Sequence, residues 1–116
     1  MKIEREMMRG AGPVAVMKLL SNGERYGYEL VEQLARQTAG VLEMGQSTLY
    51  PMLYNLEGKG WIRSRTDDSG PRPRKYYSLT SKGRKQLADD TKRWAALIEA
   101  MGSLGIGTRR ATGGAA

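Results

Sequence analysis

The sequence contains no cysteine and no histidine. It therefore has no disulfide, no thiolate nucleophile, no imidazole base and none of the usual nitrogen or sulfur ligands of zinc. It also lacks any apolar run near the ~18 residues that a membrane helix needs, and no charged start followed by an apolar stretch and a cleavage site marks a secretory leader. The expectation is a cytoplasmic, nucleoid-associated protein with no membrane partner. No glycine-rich phosphate cradle is present, because the 15 glycines are scattered through turns and the C-terminal stretch. The adjacent acidic pairs, Asp67-Asp68 and Asp89-Asp90, fall where a turn and an exposed helix face account for them. No enzymatic activity, no cofactor and no metal are expected.

What the chain has in excess is positive charge. Across 116 residues, 19 Lys and Arg stand against 12 Asp and Glu, a net charge of +7. That balance favours a polyanionic partner such as nucleic acid, and the length suits one modest domain with a single core.

Along the chain, Gly10-Ala11-Gly12-Pro13 reads as a helix entry, since proline at the first helical position loses no hydrogen bond. A first helix is expected from Pro13 to Leu20, with Val14, Met17 and Leu20 on one side and a stop at Ser21-Asn22-Gly23. Tyr26-Gly27 opens a second amphipathic helix, in which Leu30, Val31, Leu34 and Ala35 form the apolar stripe and Gly40 closes the pattern. Ser47 is the expected N-cap of a third helix carrying Leu49, Met52, Leu53 and Leu56 at i, i+3, i+4 and i+7. Pro51 trims its start, and the helix ends near Gly58 to Gly60. Two strand-like segments follow, Trp61 to Thr66 and Lys75 to Thr80, joined by a turn from Asp67 to Pro73 that is stiffened by two prolines and charged by Arg72 and Arg74. Thr80 or Ser81 then caps a last helix running to about Met101.

The fold class implied is α+β, mainly α: three helices, a two-stranded β-hairpin wing and a long C-terminal helix, the winged helix-turn-helix order in which the third helix enters the major groove. Only the first turns of the last helix can lie on so small a body. Leu87, Trp94, Leu97, Ile98 and Met101 are its expected dimer-interface residues, and a second copy of the chain is the simplest surface for that seam. The expected division is an N-terminal arm over 1–9, the DNA-binding domain over 10–80, the dimerisation helix over 81–101 and a disordered tail over 102–116.

Three motifs occur in order: Tyr26-Gly27-Tyr28-Glu29-Leu30, Ser47-Thr48-Leu49-Tyr50-Pro51-Met52-Leu53, and Arg74-Lys75-Tyr76-Tyr77-Ser78-Leu79-Thr80 with Lys82-Gly83-Arg84. In these the chain resembles PadR-type regulators from about Arg9 to Met101, and is most similar to the short subgroup whose dimerisation region is one C-terminal helix carrying a tryptophan, here Trp94. Gly12-Pro13 departs from the uninterrupted apolar first helix common in that family. The resemblance implies a bacterial transcriptional regulator, usually a repressor, that binds an inverted-repeat operator as a homodimer through the third helix and the wing.

The expected DNA-binding residues are Gln46, Ser47, Thr48, Tyr50 and Asn55, which face away from the apolar stripe, and Arg72, Arg74, Lys75 and Tyr76 on the wing. Ser47 serving only as a cap, Tyr50 packing on the hairpin and Tyr76 acting structurally are the competing readings. Trp94 is first a seam residue; as a second reading it lines a pocket between subunits for a planar aromatic effector. The alternative function is a winged-helix interaction module that holds a protein or RNA partner without operator specificity.

Overall fold

A computed structural model describes residues 1–107 of the chain. The elements follow the order α1 (Arg5–Leu20), β1 (Arg25–Tyr26), α2 (Gly27–Gln37), α3 (Gln46–Gly58), β2 (Ile62–Asp67), β3 (Arg74–Leu79) and α4 (Ser81–Ser103). The tail from 108 onward, including Arg109 and Arg110, lies outside the described residues.

Helix α1 begins at Arg5, well before the entry expected at Pro13, so Pro13 sits inside the helix. A proline there withholds the amide that would bond the Arg9 carbonyl. Tertiary contacts offset this: Met8 and Gly12 are buried, and the Ile3 amide donates to the Val41 carbonyl at 3.1 Å, tying the N-terminal segment to the loop after α2. The residues expected to form a free arm thus include the first turn of α1.

Helix α2 starts where Tyr26-Gly27 indicated, and the Tyr26 amide is held by the Glu29 carboxylate at 3.0 Å, which satisfies an otherwise orphaned donor. Its C-terminus closes as a Schellman motif in which the Gly40 amide bonds the Ala35 carbonyl at 2.8 Å. The first left-handed residue is Ala39 (φ 51°), ahead of Gly40 (φ 84°). The Thr38 hydroxyl donates to the Leu34 carbonyl and accepts from the Leu42 amide, fixing the connection that aims α3.

Helix α3 is capped by Gly45 rather than Ser47, which lies within the first turn. Pro51 consequently falls in the second turn, and the Ser47 carbonyl has no helical donor from it. Since Ser47 is exposed, solvent can satisfy that oxygen.

The hairpin forms with Ile62 opposite Leu79 and Asp67 opposite Arg74. Residues 25–26 add a third antiparallel strand on the other edge of β3, giving the order β1-β3-β2 where two strands were expected. Two residues carry too little pattern to announce a strand; the pairing is made by the return of α1 toward the sheet. Side chains alternate, so Ile62, Tyr77 and Leu79 enter the core while Arg63, Arg65, Tyr76 and Arg74 lie on the outer face.

One core joins all four helices to the sheet: Val16, Met17 and Leu20 of α1, Leu30 and Leu34 of α2, Leu49, Leu53 and Leu56 of α3, Ile62, Tyr77 and Leu79 of the hairpin, and Leu87 of α4. Leu87, expected at a dimer seam, is only 8% exposed and belongs to this chain's own core. Thr80 caps α4 by accepting from the Gly83 amide at 3.0 Å.

Candidate nucleic-acid interface

The buried stripe Leu49, Leu53 and Leu56 fixes which side of α3 faces solvent. Opposite it lie Ser47, Pro51 and Tyr54, all exposed, with Tyr54 77% exposed. Its position, seven residues after Ser47 and clear of the apolar stripe, was the signal that sequence reasoning missed.

The expected base-reading residues occupy the flanks of this ridge. Thr48 and Asn55 are exposed on the side toward α1. Tyr50 leans the other way, its hydroxyl packed on Gly27 at the start of α2, where a Cβ would collide with the ring; it keeps 41% of its surface open. The packing and contact roles therefore coexist in one side chain. Gln46 and Ser47 are exposed at the open helix start, where unbonded amides favour an anion.

The wing carries the second set of charges. Asp67 accepts the Ser69 amide at 2.9 Å and so forms the turn that opens the tip. That bond is the main reason its carboxyl stays below the ordinary aspartate range, with Arg65 and Arg74 adding attraction. Arg72, Arg74 and Lys75 are exposed, and no ion pair engages them among the described residues. The Arg74 guanidinium lies 4.7 Å over the Tyr26 ring, which limits its freedom without neutralising it. Lys75 sits on the opposite face, 5.8 Å from the Tyr77 ring.

Tyr76 is half-buried, edge-on to Tyr26 at 5.6 Å and covered by Arg65 at 4.9 Å. Its ring packs on the outer face of the sheet. Arg65 also reaches Glu24 through two hydrogen bonds, 2.7 and 2.8 Å, a bidentate pair across 41 positions that ties the hairpin to the segment before β1. Sequence reasoning named neither partner, because nothing local announces the pairing.

The Arg65 hydrogen bond is also the chief cause that holds the Glu24 carboxyl below its usual range. A depressed folded pKa stabilises above the unfolded value and loses that contribution as pH falls through the folded one. In Arg65→Met, the Glu24 carboxyl is expected to titrate higher than in the wild type, followed by side-chain carboxyl NMR shifts. An unchanged midpoint would mean that the pair does not persist in solution.

A helix-turn-helix whose second helix stands proud beside a basic hairpin is the form seen in known regulators, and the family model for PadR-like transcriptional regulators matches residues 16–89. The chain belongs to the PadR family. A crystal structure of a PadR-family regulator from Eggerthella lenta superposes with a TM-score of 0.76 at 34% identity, covering 85% of each chain. The negative transcriptional regulator PadR of Bacillus subtilis is 32% identical over 76 residues, 65% of this chain and 42% of that protein. Its crystal structure in complex with operator DNA matches with a TM-score of 0.63 and 30% identity over 68% of this chain and 44% of that one. This PadR-family chain is thus a transcriptional regulator and not an enzyme, and its fold is the mainly helical winged helix with a three-stranded sheet. No helix among its described residues is long and apolar enough to cross a membrane.

Proposed function

We propose that this protein represses transcription by binding an inverted-repeat operator as a homodimer, with α3 in the major groove and the wing along the phosphates. One observation carries the reading: the exposed ridge and flanks of α3 stand beside a wing whose Arg72, Arg74 and Lys75 have no carboxylate partner among the described residues. Gln46, Ser47, Thr48, Tyr50, Tyr54 and Asn55 would meet base edges or phosphates, and the wing cations would neutralise the backbone. The Bacillus subtilis relative, solved in complex with operator DNA, supports DNA as the partner.

Dimerisation is supported by α4. Beyond Leu87 the helix runs on with Trp94 half-buried and Leu97, Ile98 and Met101 exposed. Leu87, Trp94, Ile98 and Met101 share one face, so the seam continues the stripe that Leu87 buries within its own chain. Arg93 bonds Asp89 at 2.9 Å and Asp90 at 3.5 Å, and the Asp90 side chain, only 16% exposed, borders that face. Pairing two such helices would set two half-sites ~34–36 Å apart. Release by a planar aromatic compound stacked on Trp94 belongs to the same proposal, since that pocket would exist only between two copies. The cytoplasm is the compartment such a regulator requires.

Gel shifts on the protein's own promoter test the reading. Arg74→Ala is expected to weaken binding to operator and scrambled duplex alike, by several-fold each, and to flatten the salt dependence by about one counterion. Thr48→Val is expected to lower affinity for the operator alone. Equal losses on both duplexes for Thr48→Val would remove it from base reading, and wild-type affinity no better for operator than for random DNA would remove the repressor assignment.

A further inference from the structure

Between the N-terminal half of α1 and the flank of α3 lies a cavity of about 570 Å³, open on one side. Its volume is in the range of small-molecule sites, whose walls are mostly apolar with a few polar groups to orient the ligand. Met8, Met44 and Met52 supply flexible, polarisable walls, and Pro13 and Pro51 add to the apolar lining. A Cβ on Gly12 would lie 2.7 Å from the Met52 Cε, so the end of Met52 rests on α1 where Gly12 has no side chain, while the Met8 sulfur at 3.5 Å would be in ordinary contact.

The rim is charged unequally. Lys2, Arg5 and Arg9 line the cavity with a single lining acid, Glu43; Arg9 also approaches Glu6 at 3.9 Å, both exposed to solvent, and the Ile3–Val41 backbone bond pins the segment that carries Lys2. Thr48 and Asn55 form the remaining wall. The cavity is separate from the apolar face of α4.

We propose that this cavity binds an amphipathic small molecule with one anionic head, such as a medium-chain carboxylate: the apolar tail lies among the methionines, and the carboxylate meets the cations of the rim. A ligand so placed touches the Thr48 and Asn55 flank of α3 and competes with DNA for it. This second clause rests on the DNA-binding reading above, whereas ligand binding itself does not.

The test uses the full chain with methyl-labelled methionine, titrated with decanoate below its micelle-forming range and followed by NMR. The expected result is saturable movement of the Met8, Met44 and Met52 methyl signals with one decanoate per chain, while Met101 on the α4 face stays still. Decanol, which lacks the charge, is expected to bind at least tenfold more weakly. Arg5→Glu with Arg9→Glu, both exposed in the wild type, is expected to weaken decanoate by tenfold or more. Gly12→Ala, which pushes the flexible end of Met52 into the cavity, is expected to weaken it several-fold. Movement confined to Met101, no saturable movement, or contacts from a second copy of the chain already filling the cavity would each overturn the proposal. Saturable binding that leaves operator affinity unchanged would overturn only the competition with DNA.

Discussion

Gly83→Ala is expected to lower the stability of the domain by about 2–3 kcal/mol or more, the upper range for forcing atoms into a packed interior. For a domain of this size that is a fall of roughly 10–20 °C in Tm. Gly83 is buried in the first turn of α4, and a Cβ built on it would overlap the backbone carbonyl oxygen of Trp61 and lie 2.8 Å from the Leu79 Cδ1. The carbonyl cannot retreat, because it accepts the Thr80 amide at 3.1 Å, while the Thr80 hydroxyl donates to the Gly60 carbonyl at 2.6 Å and accepts from Gly83 itself. Helix propensity alone argues the opposite sign, since alanine is better than glycine in a helix by about 1 kcal/mol. Gly58 near the end of α3 supplies the control: nothing lies within 4 Å of its Cβ direction, and Gly58→Ala is expected to be neutral or stabilising. Thermal melts of both variants decide between packing and propensity. A Gly83→Ala protein as stable as wild type would mean that α4 does not seat on the hairpin as described.

Ile98→Asp is expected to convert the protein to a monomer and to reduce operator affinity on the order of a hundredfold or more, the scale of the gain when two linked sites bind together. Ile98 is 61% exposed in the single chain, so the substitution removes little from the chain's own core. In a paired seam the same aspartate would be desolvated among Trp94, Leu97 and Met101. Sedimentation reports the assembly state, and gel shifts report the DNA. If Ile98→Asp stays dimeric, the copies meet through another face. If it is monomeric yet binds the operator as well as wild type, the two-half-site reading fails.

The elements most legible in advance were those whose period is strong and local. The α3 stripe, the Tyr26-Gly27 entry of α2, the hairpin bounded by turn residues, and the Thr80 cap each follow from spacing within a few residues. Errors arose where a local signal competed with a distant contact. Pro13 is a sound helix-start residue, yet the packing of Met8 and Gly12 against α3 carries the helix back to Arg5. Ser47 is a sound cap, yet the connection closed by Thr38 and Gly40 delivers the chain so that Gly45 takes that place. At the site, Thr48, Tyr50 and Asn55 lie on the open side of α3 as their spacing indicates, while Tyr54 is more exposed than Tyr50. The Tyr76 ring meets Tyr26, a neighbour only through the sheet.

By itself the sequence determined the kind of elements, their order, the basic wing and the family, since periodicity, turn chemistry and ordered motifs are written along the chain. Tertiary structure alone decided where α1 begins, that residues 25–26 join the sheet, that Glu24 holds Arg65, and that a methionine-walled cavity opens beside α3. The reason is physical. Each of these depends on atoms brought within a few ångströms from positions far apart in the chain, and no local pattern encodes such a meeting.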